Sequence, residues 1–371
     1  MSDHSDNKSS VGKPTLDKDL SKINMMGQAS GSLGRSLVLP GAALIFIVLC
    51  AVLATRFTAG DSGYLMIAAA GALGAYMALN IGANDVANNV GPAVGSKALS
   101  LVGALIIAAI CESAGALLAG GDVVSTISKG IVDPNKVADA RTFTLLMMSA
   151  LVAAAVWVNL ATVIGAPVWT THSVVGGVAG AGIAAAGFLA VNWGAMSRIA
   201  ASWVISPVLG GIIAALFLAF IKTMIIYRDD KIAAARRWVP VLVAIMAGAF
   251  AAYLALKGLS KIDFVEKYTN KDVMKALGVG GVAAIVTWLI TTPLIKKQSE
   301  GMENRNQSLR ALFKIPLIIS AALLSFAHGA NDVANAIGPL AAIVSTVQTG
   351  LVESKVTIPL WVMLILSLIH I

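Results

Sequence analysis

Uncharged runs as long as a bilayer is thick constrain this chain more than any other feature. They occur at Ser36–Thr55, Ser62–Asn84, Ile199–Ile221, Trp238–Leu256 and Ala276–Ile295, and between Thr142 and Ser197 the only titratable side chain is His172. A helix of about 20 mostly apolar residues crosses the hydrocarbon core. Backbone polar groups there must be satisfied within the element, which favours helices. The expected fold class is an all-α polytopic membrane protein. Charged residues make up 12% of the chain, against about 25% in soluble domains. The net charge of +8 does not indicate nucleic acid, because Lys and Arg fall between the apolar runs, where they set topology. Cys50 and Cys111 lie in separate apolar runs, so neither a disulfide framework nor a metal-binding cysteine motif is expected.

Residues 1–35 are polar and poor in large hydrophobes and are expected to be a disordered tail. A first transmembrane repeat with an extra N-terminal helix is expected over 36–221, basic loops and connecting helices over 222–314, and the start of a second repeat over 315–371. Helices are predicted near 37–55, 63–81, 98–119, 142–164, 199–221, 239–256, 277–295 and 315–327. Shorter pieces near 86–95, 173–190 and 333–347 are broken by Gly, Pro, Asn and Thr, the pattern of discontinuous helices or re-entrant hairpins. The basic connections Lys222–Arg237 and Lys296–Lys314 are separated by two helices and share one side, which the positive-inside rule makes cytoplasmic.

An internal repeat carries the chemistry. Gly82-Ala-Asn-Asp-Val-Ala-Asn-Asn-Val-Gly-Pro92 returns as Gly329-Ala-Asn-Asp-Val-Ala-Asn-Ala-Ile-Gly-Pro339, with nine of eleven positions identical at an offset of 247. Each copy sets an acid and two amides at membrane depth. An Asp at a helix centre costs about 2.5–3.5 kcal/mol on insertion scales. Helix-to-helix hydrogen bonding is the bland explanation for such residues, but its exact duplication favours a task for Asp85 and Asp332. Spacing i, i+3 puts Asp85 with Asn88, and Asp332 with Asn335, on one face. Carboxylate and amide oxygens are hard ligands for Na⁺ or a proton, and amide N–H groups suit an oxyanion. The flanking Gly and Gly-Pro allow a break whose free helix N-terminus favours an anion.

A second polar island, Ala166-Pro-Val-Trp-Thr-Thr-His-Ser173, offers hydroxyls on Thr170, Thr171 and Ser173 beside Pro167. They can donate to an anion or simply cap a helix. His172 and Glu112 are accessory candidates: His172 relays protons or packs, and Glu112 pairs with Lys97 or Lys129 or faces the substrate path. His328 is matched by Ile81 and falls outside the duplicated set. Glycine stretches at 176–180 and 278–281 suit close helix packing, and no nucleotide P-loop spacing occurs.

In both Gly-Ala-Asn-Asp-Val-Ala-Asn blocks, in Pro-Val-Trp-Thr-Thr-His-Ser, in Glu112–Asp122 and in Thr-Ile-Ser-Lys-Gly-Ile at 126–131, the sequence resembles the inorganic phosphate transporter (PiT) family over about Leu65–Ile365. The resemblance implies an inverted-repeat secondary transporter of the bacterial inner membrane, taking up inorganic phosphate with H⁺ or Na⁺, in some members as a metal–phosphate complex. Carried over, Asn84, Asn88, Asn331, Asn335, Thr170, Thr171 and Ser173 bind substrate, and Asp85 and Asp332 the coupling cation. The partners implied are phosphate, that cation and the lipid bilayer, with a homodimer left open. No enzyme activity, cofactor or further metal is implied.

A mirrored second half would place its own Thr-Thr-His element about 86 residues after Asp332, beyond Ile371. The last six residues, Leu366–Ile371, match a translated transposon-end adapter. A C-terminally truncated fragment, able to insert but not to transport, is therefore expected. A sulfate or other oxyanion symporter, a channel and a membrane enzyme acting on a lipid phosphate are the competing readings. Two acids in symmetric contexts fit a shared transport site better than distinct acid and base roles, which need different environments.

Overall fold

The computed structural model describes residues 38–56, 63–120, 130–166, 168–258 and 272–352. The expectations for the polar tail, Pro167, most of 121–131, the loop before 272 and the C-terminal segment fall outside them. Eight helices among the described residues are long and apolar enough to cross a membrane. The helices are α1 (Val38–Arg56), α2 (Tyr64–Gly95), α3 (Leu101–Ala119), α4 (Ala140–Val163), α5 (Thr170–Ala186), α6 (Trp193–Ile221), α7 (Lys231–Tyr253), α8 (Val273–Gln298), α9 (Asn306–Leu312), α10 (Lys314–His328) and α11 (Ala334–Thr349). A π-helical turn, Gly329–Val333, joins α10 to α11. The only extended pairing among the described residues is one bridge, Val132 to Val191.

The chain divides into two compact units within α1, Met1–Leu49 and Cys50–Ile371. In the first, Val38, Leu39, Leu44, Ile45 and Val48 are exposed, as suits side chains with lipid for solvent. In the second, the main core joins Ile67, Met77 and Ile81 of α2, Phe143, Met147, Leu151 and Val158 of α4, Val174 and Val178 of α5, and Ile337, Leu340 and Ile343 of α11. All of Ala334–Val344 is buried, the state expected of a helix apolar on every side. Helices α7 and α8 meet backbone to backbone: a Cβ on Gly248 would lie 2.8 Å from the Gly280 carbonyl oxygen. Only Ala195 of α6 is buried.

The predicted break at the first repeat block is absent. Helix α2 runs through Gly82–Pro92 without interruption, for about 48 Å at 1.5 Å per residue. The polar residues of the block find side-chain partners instead of bending the backbone, and one mid-helix Gly costs only about 1 kcal/mol. In the second copy the interruption is present as the π turn, which changes the helical pattern without ending the helix. Such single-turn bulges recur at functional sites. The short piece expected near 173–190 is α5, which starts at Thr170 and stops where Gly187 takes φ +82°.

Candidate functional site: a polar cavity between the two repeat blocks

Three parts of the chain supply a cavity of about 500 Å³: Asp85 and Asn88 from α2, Thr170 and Thr171 from the first turn of α5, and Asn331 and Asp332 from the π turn. Ser202, Trp203 and Ser206 of α6 form a further wall. Thr170 and Thr171 sit there because α5 is anchored by its buried Val174, Val175 and Val178.

Asp332 is the most heavily bonded group. Its Oδ1 accepts from Thr171 Oγ1 at 2.8 Å, Asn335 Nδ2 at 2.9 Å and Thr170 Oγ1 at 3.2 Å. Its Oδ2 lies 3.2 Å from His328 Nε2, which also stands 3.7 Å from Asp85 Oδ2. The other imidazole nitrogen, Nδ1, is 3.2 Å from Oε1 of Glu112, and that oxygen accepts from Asn89 Nδ2 at 2.9 Å. Glu112 is wholly buried. Three carboxylates thus surround one imidazole. Removing that imidazole leaves buried acids without their shared partner, the costly case.

One ligand atom each from Asp85, His328 and Asp332 lies within 4.8 Å of the others, a spacing that admits a single cation. Asn335 is fully buried, and its Oδ1 has no hydrogen-bond partner among the described residues. An orphan acceptor beside a carboxylate that already receives three donors fits a cation better than a further hydrogen bond.

Of the expected site residues, Asp85, Asn88, Thr170, Thr171, Asn331 and Asp332 line the cavity, and Asn335 lies buried beneath it, bonded to both threonines. Two lie elsewhere. The Asn84 amide is directed to α4, 2.8 Å from Thr162 Oγ1, beside a second link in which Asn159 Nδ2 donates to Asn80 Oδ1 at 2.9 Å. That amide glues helices. Ser173 Oγ donates back to the Trp169 carbonyl at 3.3 Å and faces a neighbouring cavity. His172 is packed between Trp169 and Trp203, with ring centroids 4.9 and 3.9 Å away. Glu112 is held by Asn89 and His328 rather than by Lys97, and Lys129 lies outside the described residues. His328 and Asn89 are at the centre of the cluster, although neither belongs to the identical part of the repeat. The i, i+4 spacings His328–Asp332 and Asp85–Asn89 were the available signal, since they place each pair on one helix face.

The phosphate transporter family profile matches residues 81–370. Two relatives bear the name "Putative phosphate permease". The one from Helicobacter pylori is 47% identical over 94% of this chain and 64% of its own length, and the one from Pyrococcus abyssi is 35% identical over 78% of this chain and 70% of its own. The chain therefore spans somewhat under two thirds of the Helicobacter protein. A solved structure titled "The sodium-dependent phosphate transporter" superposes with a TM-score of 0.73 at 34% identity, covering 82% of this chain and 74% of the other. With its membrane-length helices and its duplicated acid-amide blocks, the chain is a multi-pass membrane protein that belongs to the phosphate transporter family.

Proposed function

We propose that the protein carries inorganic phosphate across the membrane coupled to a cation, and that the cation is Na⁺. One observation supports this above the rest: the acids of both repeat blocks, Asp85 and Asp332, face the same cavity together with the Thr170 and Thr171 hydroxyls. The carboxylates and the orphan Asn335 oxygen suit a hard cation, and the hydroxyl and amide donors suit an oxyanion. Placed side by side, each charge lowers the cost of bringing in the other. Na⁺ is favoured over H⁺ because the structural neighbour is titled sodium-dependent and because the free acceptor is an amide oxygen, which binds a metal ion far better than it holds a proton.

The imidazole of His328 within the same cluster supports a second reading, in which phosphate enters as a complex with a divalent metal, since mixed nitrogen and oxygen ligands suit such ions. The test for both, made with the chain extended to the length of its relatives, is uptake of labelled phosphate into proteoliposomes under a Na⁺ gradient, an H⁺ gradient or neither, with and without added divalent metal. Concentrative uptake driven by Na⁺ and resistant to excess sulfate is expected. Uptake indifferent to both gradients, or equally inhibited by sulfate, overturns the first reading, and no effect of metal removal overturns the second.

A further inference from the structure

Away from the polar cavity, a satellite core forms at the basic edge of the bundle from Ile225, Ile232, Val239, Val243, Ile295 and Leu312. Two cavities open beside it. One, of about 730 Å³, runs between α6, α7 and α10 and is apolar apart from Ser320. The other, of about 560 Å³, has Arg228 and Arg237 on its wall. Neither shares a residue with the site described above.

The two cavities follow one another along α7. Ala234 and Trp238 line the basic one, and Leu242, Met246 and Ala249 line the apolar one. Steps of four, four, four and three residues keep all five on a single helix stripe, so the apolar groove begins where the basic cavity ends. From Arg237 to Ala249 is twelve residues, or about 18 Å of helix. One leaflet of hydrocarbon is about 15 Å deep, half the core thickness. Trp238 sits at the junction, edge-on to Phe220 with ring centroids 5.0 Å apart, and indoles favour the membrane–water boundary.

Charge completes the pattern. Lys222–Arg237 holds five basic and two acidic residues, and Lys296–Lys314 likewise, so each contributes +3. Two acids share the cavity wall with the arginines: Asp230 accepts from the Ala233 backbone N–H at 2.9 Å as the cap of α7, while at Asp229 it is the backbone carbonyl that accepts from Asn304 Nδ2, at 2.5 Å. Arg228 and Arg237 form no ion pair among the described residues. Arg228 contacts the Met224 sulfur at 3.4 Å, and Arg237 lies 5.2 Å above the Trp238 ring.

We propose that the two cavities are one binding site for an anionic phospholipid, with the head-group phosphate on Arg228 and Arg237 and an acyl chain along the α7 groove. Basic pockets between helices at a membrane's charged face recognise such head groups, and a leaflet-deep apolar groove continuing from one selects a tailed anion over a free one. The site is independent of phosphate transport.

Native mass spectrometry of the full chain, titrated with phosphatidylglycerol or phosphatidylcholine of matched acyl chains, tests the site. Phosphatidylglycerol should bind about tenfold more tightly. Substituting R228Q with R237Q should erase that preference, and R228K with R237K should retain it. Filling the groove with A249W, or with L242W if the first variant aggregates, should weaken both lipids. Equal affinity for the two lipids, or undiminished phosphatidylglycerol binding by a monodisperse groove-filled variant, overturns the proposal. So does conversion of a dimer to a monomer by A249W, which would assign the groove to a second copy, or displacement of the lipid by millimolar inorganic phosphate.

Discussion

Thr171 Oγ1 donates to Asp332 Oδ1 over 2.8 Å, joining residues 161 positions apart. The hydroxyls of the first half are therefore turned toward the acid of the second block. A substrate oxyanion entering the cavity must compete for donors that already satisfy a carboxylate, unless a cation takes over that carboxylate. Cation binding at Asp332 would release Thr170 and Thr171, giving the coupling between the two ligands a physical route.

The substitutions D85N and D332N should each lower Na⁺-driven phosphate uptake by at least about 10- to 100-fold, the range for losing a group that only orients a metal ligand. Amides preserve shape, so purified variants should remain monodisperse. Near-normal gradient-driven uptake by both variants would remove these acids from the coupling role.

The hydroxyls should behave unequally. T171A leaves the Asp332 carboxylate short of a donor and should weaken ligand binding by about 1–3 kcal/mol. S173A, whose hydroxyl is occupied with the Trp169 carbonyl, should change it by less than about 0.5 kcal/mol. Isothermal titration with phosphate in saturating Na⁺ distinguishes them, and equal losses would return Ser173 to the anion site.

Glu112 is buried against Asn89 and His328. Truncation by E112A removes the acceptor of the Asn89 amide from a buried site and should destabilise the protein by about 1–3 kcal/mol. E112Q keeps the shape and should retain more of the fold while still impairing uptake. Thermal unfolding in detergent gives the first quantity and proteoliposome flux the second. An E112A melting curve coincident with that of the parent would mean the cluster contributes nothing to stability.

Two glycines of the repeat blocks should respond oppositely to a methyl group. A Cβ on Gly329 collides with the Glu112 backbone, whereas one on Gly91 meets nothing within 4 Å. G329A should therefore destabilise by about 1–3 kcal/mol or more, as overpacking does. G91A, in the interior of α2, should be neutral or stabilising by up to about 1 kcal/mol. The comparison is made in paired melting curves, and indifference at position 329 would contradict the close helix contact.

Outside the spans, Asp139 caps α4, accepting from the Thr142 backbone N–H at 2.8 Å and from its hydroxyl at 3.1 Å. The backbone bond from Thr142 holds the carboxyl below its ordinary range. A depressed carboxyl stabilises the folded state above its unfolded pKa, near 3.9, and that contribution fades as pH falls through the lower folded value. Removing the cap in D139A should flatten the acid limb of a stability profile below about pH 4 and leave its slope at neutral pH unchanged. Parallel profiles throughout would disprove it.

The sequence makes the spans legible because hydrocarbon permits little besides long apolar helices, and the duplicated Asp-Asn blocks legible because repetition of a costly group is visible in one dimension. Glu112 and His328 were harder. The cluster is built around the positions where the copies differ: Asn89 stands where the second copy has Ala336, and His328 where the first has Ile81. Looking for identity conceals them, whereas the fold brings both to Glu112. Asn84 differs in placement for the converse reason. It is duplicated in sequence, yet α2 runs on as an unbroken helix and turns that residue to α4. The sequence offers no sign that one copy bulges and the other stays regular, because nine shared residues cannot encode the different neighbours against which each is packed.

The burial of α11 among α2, α4 and α5 bears on how the protein is made. Its seat is formed by helices synthesised well over a hundred residues earlier, so that seat stays unfilled until α11 is made. During that interval Asp85 and Glu112 lack His328, and the growing bundle carries exposed acids that lipid tolerates poorly. Biosynthesis thus passes through a stage when the unfinished polar cluster is a liability.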